Sequence, residues 1–302
     1  MVITTMDEIN NFYRKYPFPG IRPIDQDGLV LLRNLHTYFR TKYNNETLSK
    51  CRILDAGCGT GNTSISLAKQ FREARLLGID MSNTSLSIAR NTAKKEKINN
   101  LSFRQWDLMK PLQNEDSFNI ILCLGVLHHT ADMQRVLVNL QKILKEDGEL
   151  YLWIYGQHGR YHHTLNQRLL NILLNARPLA SSPVQFASEF IFSQKEGSIL
   201  EDLVGAESKN LMLKKVFENH IWIADQFLNP KEELLDMEGI IKLLNSSGLE
   251  IKKWLCVNDD FSSYFNSQVL NNRFDQLSKY QKLIALDLLL KPDRYFMALR
   301  KK

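Results

Sequence analysis

Between residues 51 and 155, short apolar runs alternate with stretches of helical period. Arg52-Ile53-Leu54-Asp55 reads as a strand running into a glycine-rich turn. Residues 62–72 place Ile65, Leu67, Ala68 and Phe71 at helical spacing, and Leu76 to Asp80 form a second short strand. A helix over 83–97, closed by Asn99-Asn100, leads to a strand over 101–106. The unbroken apolar run within Phe118 to Leu124 suits the centre of a parallel sheet, where both faces are covered. Met133, Val136, Leu137, Leu140 and Leu144 then share one helical stripe, and Asp147-Gly148 separates it from a fifth strand, Glu149 to Tyr155. Strands and helices alternating at this length predict an α/β fold with a doubly wound, mostly parallel sheet.

The C-terminal stretch resumes the alternation. It predicts a helix over 236–247, a strand from Ile251 to Val257, a helix over 275–290 stopped near Pro292, and a last strand over 294–299 at an antiparallel edge. Residues 156–225 break the pattern, with helix-like runs at 164–175 and 208–219 around a Ser/Pro break at 178–183. An insertion after the fifth strand falls at the carboxyl end of the sheet, where ligands of doubly wound folds bind, so a helical cap is expected. The N-terminus opens with aromatics and prolines, Phe12 to Gly20, before a helix at about 27–41. Four segments follow: 1–50 as an N-terminal lid or helical part, 51–155 as the binding core, 156–235 as the cap and 236–302 as the completion of the sheet.

Composition narrows the class without naming a ligand. The chain has 302 residues, 44% hydrophobic and 24% charged, which is the make-up of an ordinary globular protein. No apolar run approaches the ~20 residues that span a bilayer. Asp7 and Glu8 stand where a secretory leader would be apolar, and the four cysteines include no CxxC pair, so a cytoplasmic, reducing location is expected. The net charge of +6 is spread thinly and forms no basic arm, so nothing in it argues for a nucleic-acid partner.

The chemistry concentrates at Asp55-Ala56-Gly57-Cys58-Gly59-Thr60-Gly61. Its glycines permit a tight turn and close backbone approach to a ligand, and the helix beyond presents free N–H groups. The spacing is not that of a dinucleotide fingerprint, since Asn62 stands where the third glycine would be. An acid before the turn disfavours a pyrophosphate and favours a cation. Asp80, ending the second strand, is placed to accept hydrogen bonds from vicinal ribose hydroxyls, and Asp107 follows the third strand.

Together with Gly78-Ile79-Asp80, Asp107-Leu108 and Cys123 to His129, this constellation resembles the class I S-adenosylmethionine-dependent methyltransferases, in their type 11/12-like branch. The resemblance covers 51–155 and implies a seven-stranded sheet, S-adenosylmethionine as cofactor and S-adenosylhomocysteine as product. It implies that Asp55, Ala56, Gly57, Cys58, Gly59 and Gly61 hold the methionine portion. Asp80 with Met81 would hold the ribose, Asp107 with Leu108 would lie at the adenine, and Leu124 would close over the cofactor.

Methyl transfer from a sulfonium needs positioning first and a base only where the acceptor loses a proton. His128, His129 and Tyr155 are the candidate proton acceptors. Tyr13, Tyr16, His158 and Asp225 are candidates to face the acceptor. His158, His162 and His163 have helical metal spacing but no completing carboxylate or thiolate, which favours a polar loop and no metal. The segment Tyr16 to Gly20 suits either a lid over the cofactor or a staple for the N-terminus. The first expectation is transfer to a small or medium-sized metabolite. The alternatives are transfer to tRNA or protein, and cofactor binding without transfer.

Overall fold

The computed structural model describes residues 6–20, 35, 37–38, 51–112, 117–176, 178–179, 181–193 and 219–302. The elements in chain order are α1 (Met6–Lys15), β1 (Arg52–Ala56), α2 (Asn62–Gln70), β2 (Arg75–Asp80), α3 (Asn83–Lys95), β3 (Leu101–Gln105) and β4 (Phe118–Leu124). A single 3₁₀ turn, Leu127–His129, precedes α4 (Met133–Ile143) and β5 (Leu144–Tyr155). Then come α5 (Tyr161–Leu174), α6 (Pro183–Phe192), α7 (His220–Leu228), α8 (Met237–Ser246), β6 (Leu249–Trp254), α9 (Gln268–Asp275), α10 (Lys279–Leu290) and β7 (Arg294–Lys301). The seven strands form one sheet in the order β3-β2-β1-β4-β5-β7-β6; β2 runs parallel to β1 and β3, β4 parallel to β5, and β7 antiparallel to β5 and β6.

The last strand differs from expectation: β7 lies between β5 and β6, and β6 forms the edge. The burial pattern gives the reason. Tyr295 to Leu299 are all buried, which demands cover on both faces, whereas Lys252 and Lys253 of β6 are exposed, as suits an edge. The helix expected over 275–290 starts later, at Lys279 as α10, and Asp275 closes a separate helix, α9. Ser278 caps α10 through a reciprocal capping box with Gln281, so α9 ends before it. The helix expected at 27–41 and the run at 208–219 fall almost wholly outside the described residues.

The chain divides into two compact units, one of Met1–Leu108 with Tyr161–Glu232, the other of Met109–Arg160 with Glu233–Lys302. In the first, Ile53, Leu54, Leu67, Ile79 and Leu86 are fully enclosed. A separate apolar cluster joins Leu170, Val184, Ala187, Ile191, Ile223, Ala224 and Phe227 from α5, α6 and α7, with Phe12 and Tyr16 of the N-terminal segment packed on it. In the second, Phe118, Ile120 and Ile121 of β4 share the core with Tyr151 and Tyr295.

Asn100 ties the first unit together below the sheet. Its side-chain amide donates toward the carbonyls of Ala68, Phe71 and Ala74, at 3.3, 3.0 and 3.0 Å. Asn100→Ala leaves these carbonyls short of a donor, and a loss of about 1–3 kcal/mol is expected in a urea titration. A change under about 0.5 kcal/mol, the range of a surface substitution, would refute this role.

Candidate active site

The first unit builds the glycine-rich turn. Gly57 and Cys58 N–H both donate to the carbonyl of Ile79, at 2.8 and 2.9 Å, which folds the turn back onto β2. Gly59 has φ +52° and Gly61 φ +82°, the left-handed region that favours glycine. A Cβ on Gly59 would stand 2.5 Å from the Phe18 carbonyl oxygen, and one on Gly61 would meet Ala89 and Phe103 at 2.9 and 3.0 Å. Both positions are closed to side chains by conformation and by space.

Asp80, at the carboxyl end of β2, braces this turn. Its Oδ2 accepts the Gly59 N–H at 2.9 Å and its Oδ1 accepts the Ser82 N–H at 2.8 Å. Burial pushes its carboxyl up from the usual range, against the opposing pull of the Ser82, Gly59 and Met81 backbone N–H groups. Ser82, not Asp80, caps α3, accepting from the Ser85 N–H.

Asp55 lies beneath the turn rather than at an open mouth: it is 5% exposed, and Ser64 Oγ donates to it at 2.5 Å. Its carboxyl is pushed up to about 6, chiefly by burial, with the Asp80 charge adding to the rise and Ser64 opposing it. Ala56 and Cys58 are buried, while Met81, Asp107 and Leu108 are half-buried after the ends of β2 and β3. Trp106 N–H donates to the Asp80 carbonyl at 2.9 Å, which fixes where the chain leaves β3.

The segment before Gly20 reaches this turn. Thr60 N–H donates to the Phe18 carbonyl at 3.3 Å, and Thr60 Oγ1 donates to the Gly20 carbonyl at 2.5 Å. Farther back, Phe12 and Tyr16 pack on the insertion cluster. One stretch of chain therefore both staples α1 to α5–α7 and lies against the glycine-rich turn. Tyr13 and Asp225, predicted separately, are brought together: the phenol donates to Oδ1 at 3.4 Å, and Asn229 donates to the phenol oxygen at 2.9 Å. Asp225, 4% exposed, also accepts from Gln226 at 3.0 Å.

The second unit holds the histidines of the predicted catalytic set. Leu124, half-buried at the end of β4, pairs with Trp153 of β5. The 3₁₀ turn beyond it buries His128 and His129. The His128 ring lies 4.2 Å from that of Tyr155, 4.1 Å from that of His129 and 6.0 Å from that of Trp153, centroid to centroid. Arg160 lays its guanidinium over Tyr155, 3.6 Å from the ring centre. Burial, followed by the neighbouring His129 and Arg160, holds the His128 imidazole well below its usual value and hence neutral.

The remaining histidines of the loop serve different partners. His158 Nε2 lies 3.5 Å from the buried Asp287 carboxylate, which also accepts from Tyr295 and from the Met237 N–H. His163, in the first unit, bonds the Gln226 carbonyl at 2.8 Å. Among the described residues no cluster of His, Cys, Asp and Glu has the arrangement of a metal site. Sequence reasoning missed Ser64 under Asp55, Thr60 as the contact of the N-terminal segment, and the enclosed Arg160. Only Thr60 carried a signal, as the lone hydroxyl within the glycine run.

Residues 47–171 match the family model of a methyltransferase domain. An uncharacterised Synechococcus protein is 28% identical over 293 residues, spanning 93% of this chain and 68% of its own. The ubiquinone biosynthesis O-methyltransferase of Coxiella burnetii is 33% identical over 114 residues, 37% of this chain; the match spans about half of that enzyme's length, 47%. Among solved structures, PKMT2 of Rickettsia typhi in complex with AdoHcy superposes with a TM-score of 0.67 at 15% identity, over 84% of this chain and 49% of that one. At that identity the likeness is one of fold.

Proposed function

On the premise that this chain carries a class I S-adenosylmethionine-dependent methyltransferase domain, we propose that it methylates a small or medium-sized metabolite. The observation that carries the cofactor's placement is the Gly59–Asp80 bond, which couples the side-chain-free turn to a carboxylate at the end of the neighbouring strand. The residues fit the group. Gly59 and Gly61 leave only backbone at the turn, and the Asp80 carboxylate, about four lone-pair sites against the Gly59, Ser82 and Met81 N–H groups, keeps acceptor capacity for a ribose hydroxyl. In this reading Asp55, Ala56, Gly57, Cys58, Gly59 and Gly61 hold the methionine portion, Asp80 and Met81 the ribose, and Asp107 and Leu108 the adenine. Bound there, S-adenosylmethionine supplies a methyl group on a positive sulfur, already activated for displacement.

The chain's own part is to bind, orient and exclude water. Asp55 supplies negative charge beneath the turn, favourable to a cationic ligand. Tyr13 of α1 and Asp225 of α7 form a polar pair for an acceptor, and Tyr16 packs on the cluster of the insertion. The acceptor's size rests on the O-methyltransferase relative and on the thin spread of positive charge. A tRNA or protein acceptor, and cofactor binding without transfer, are the readings to be separated from it.

Methyl-tritiated S-adenosylmethionine is incubated with the protein and a lysate, which is then sorted into small molecules, RNA and protein. Label is expected in the small-molecule fraction; label confined to RNA or protein would overturn the acceptor class.

The raised Asp55 carboxyl sets a pH dependence with two signs. Above about 6 it is ionised, so affinity for the cationic cofactor is full there and falls as pH drops through 6. The folded state prefers the protonated acid more than the unfolded state does. This group's contribution to ligand-free stability therefore declines as pH rises from about 4 to about 6. Cofactor titrations and urea titrations from pH 5 to 7.5 are expected to trend oppositely in this respect, and Asp55→Asn is expected to flatten both. Affinity level across the range would contradict the assignment.

A further inference from the structure

The entering end of β3, opposite the end that leads to Asp107, opens onto a cleft of about 630 Å³ that the cofactor reading does not use. The cleft lies wholly within the first unit, between the C-terminal half of α3 and the edge strand β3. Three cations line it, Arg90, Lys94 and Lys97, and among the described residues no carboxylate does. Arg90 and Lys94 stand four apart on α3, and Lys97 follows just past the helix end at Lys95. Like charges four apart on a helix repel and weaken it. The helix dipole accounts for cations in the last turn, Lys94 and Lys95, but not for Arg90 before it or Lys97 beyond it. Lys97 also holds φ +55°, a left-handed conformation that is costly for a residue with a Cβ. Glu96, next to it in sequence, is engaged elsewhere: it pairs with Lys69 at 2.9 Å.

The donors of the cleft are open. The Lys94 and Lys97 ammonium groups, the Asn99 amide and the Ser102 hydroxyl have no partner among the described residues. Arg90 donates one N–H to the Phe103 carbonyl at 3.2 Å, and its guanidinium carries five. Cations joined by hydroxyl and amide donors are the groups that hold phosphate oxygens. From Arg90 to Lys97 they extend over about 10 Å at the helical rise, more than one phosphate group covers. Ile98 and Leu101 add an apolar patch beside them, and the volume is that of a site for one small molecule. We infer that this cleft binds a small organic molecule carrying two or more phosphate groups. None of its lining residues belongs to the glycine-rich turn, and the inference does not rest on the methyltransferase reading. The two places call for opposite charges: Asp55 and Asp80 favour a cation at the turn, and the cleft favours an anion.

The test is a calorimetric titration of the full wild-type chain with inorganic tripolyphosphate at low ionic strength, with and without S-adenosylhomocysteine. Saturable binding is expected in both cases, with inorganic monophosphate at least about tenfold weaker. Lys94→Gln/Lys97→Gln should weaken tripolyphosphate about 20-fold, at roughly fivefold for each cation removed, and leave the melting temperature in place. Lys142→Gln/Lys145→Gln makes the same change in net charge away from the cleft and should stay within about twofold of wild type. Absence of saturable heat would overturn the proposal. So would an equal loss in the two double variants, which would make the attraction one of overall charge. Competition between tripolyphosphate and S-adenosylhomocysteine would place the anion at the turn and overturn it too. An oligouridylate that binds more tightly than tripolyphosphate, and is lost in Lys94→Gln/Lys97→Gln, would assign the cleft to an RNA strand and overturn the small-molecule class.

Discussion

Replacing Asp80 by alanine is expected to weaken cofactor binding about 30- to 150-fold, the equivalent of 2–3 kcal/mol for a buried charged acceptor left out of its bonds. Two losses combine. The ribose hydroxyls lose the carboxylate proposed to receive them, and Gly59 and Ser82 lose the oxygens that accept their N–H groups at 2.9 and 2.8 Å. Because the second loss loosens the turn itself, Asp80→Asn should fall between wild type and alanine: it keeps one carbonyl oxygen for the turn but places an N–H₂ where the second acceptor stood. Equilibrium dialysis with tritiated S-adenosylmethionine reads all three. Equal affinities would remove Asp80 from the site.

Gly59→Ala carries the second large effect. The residue sits at φ +52°, where a Cβ costs about 1–2 kcal/mol by conformation alone. That Cβ would also stand 2.5 Å from the Phe18 carbonyl oxygen, a backbone atom with no flexible side chain to yield. The turn or the Phe18–Gly20 segment must shift, breaking the Thr60 bonds to Phe18 and Gly20 or the Gly59 bond to Asp80. Stability should fall by at least the conformational cost, and cofactor affinity should fall with it. Thr60→Val separates the two effects: it removes the hydroxyl bond to Gly20 and leaves the turn free of a clash. It should therefore release the N-terminal segment to faster limited proteolysis with a smaller loss of affinity than Gly59→Ala. A Gly59→Ala protein matching wild type in urea and in dialysis would show that the segment does not lie against the turn.

Most of residues 51–155 was legible because the elements there announce themselves locally, but β5 begins at Leu144 and runs through Asp147-Gly148, which was expected to separate it from the preceding helix. Apolar runs of strand length end at glycine or aspartate, and helical stripes start beside a capping side chain such as Ser82 or Asp132. The order of the last strands was not legible in the same way, since periodicity names elements and not their neighbours. The signal was nevertheless present in the continuous Tyr295 to Leu299 run against the lysines of β6. α1 was hidden behind its aromatics, although Asp7 and Glu8 in its first turn and Arg14 and Lys15 in its last match the helix dipole. The break before α10 was written in the Ser278–Gln281 capping pair.

At the site, the identity of the acids could be read but not their depth. Nothing in the spacing of Asp55 tells that Ser64, in the first turn of the next helix, donates to it, or that burial lifts its carboxyl to about 6. Tyr13 and Asp225 are 212 residues apart, and only the folded chain joins them. The three clustered histidines illustrate the reverse case: close in sequence, His158 and His163 end on Asp287 and Gln226 respectively.

The measurement that reaches the central claim most directly is a calorimetric titration of the purified wild-type chain with S-adenosylhomocysteine, repeated with a nicotinamide dinucleotide. The glycine spacing, the acid before the turn and the Asp80 brace predict saturable binding of S-adenosylhomocysteine and none of the dinucleotide. Binding of the dinucleotide, or no heat from S-adenosylhomocysteine, would contradict the account at its base.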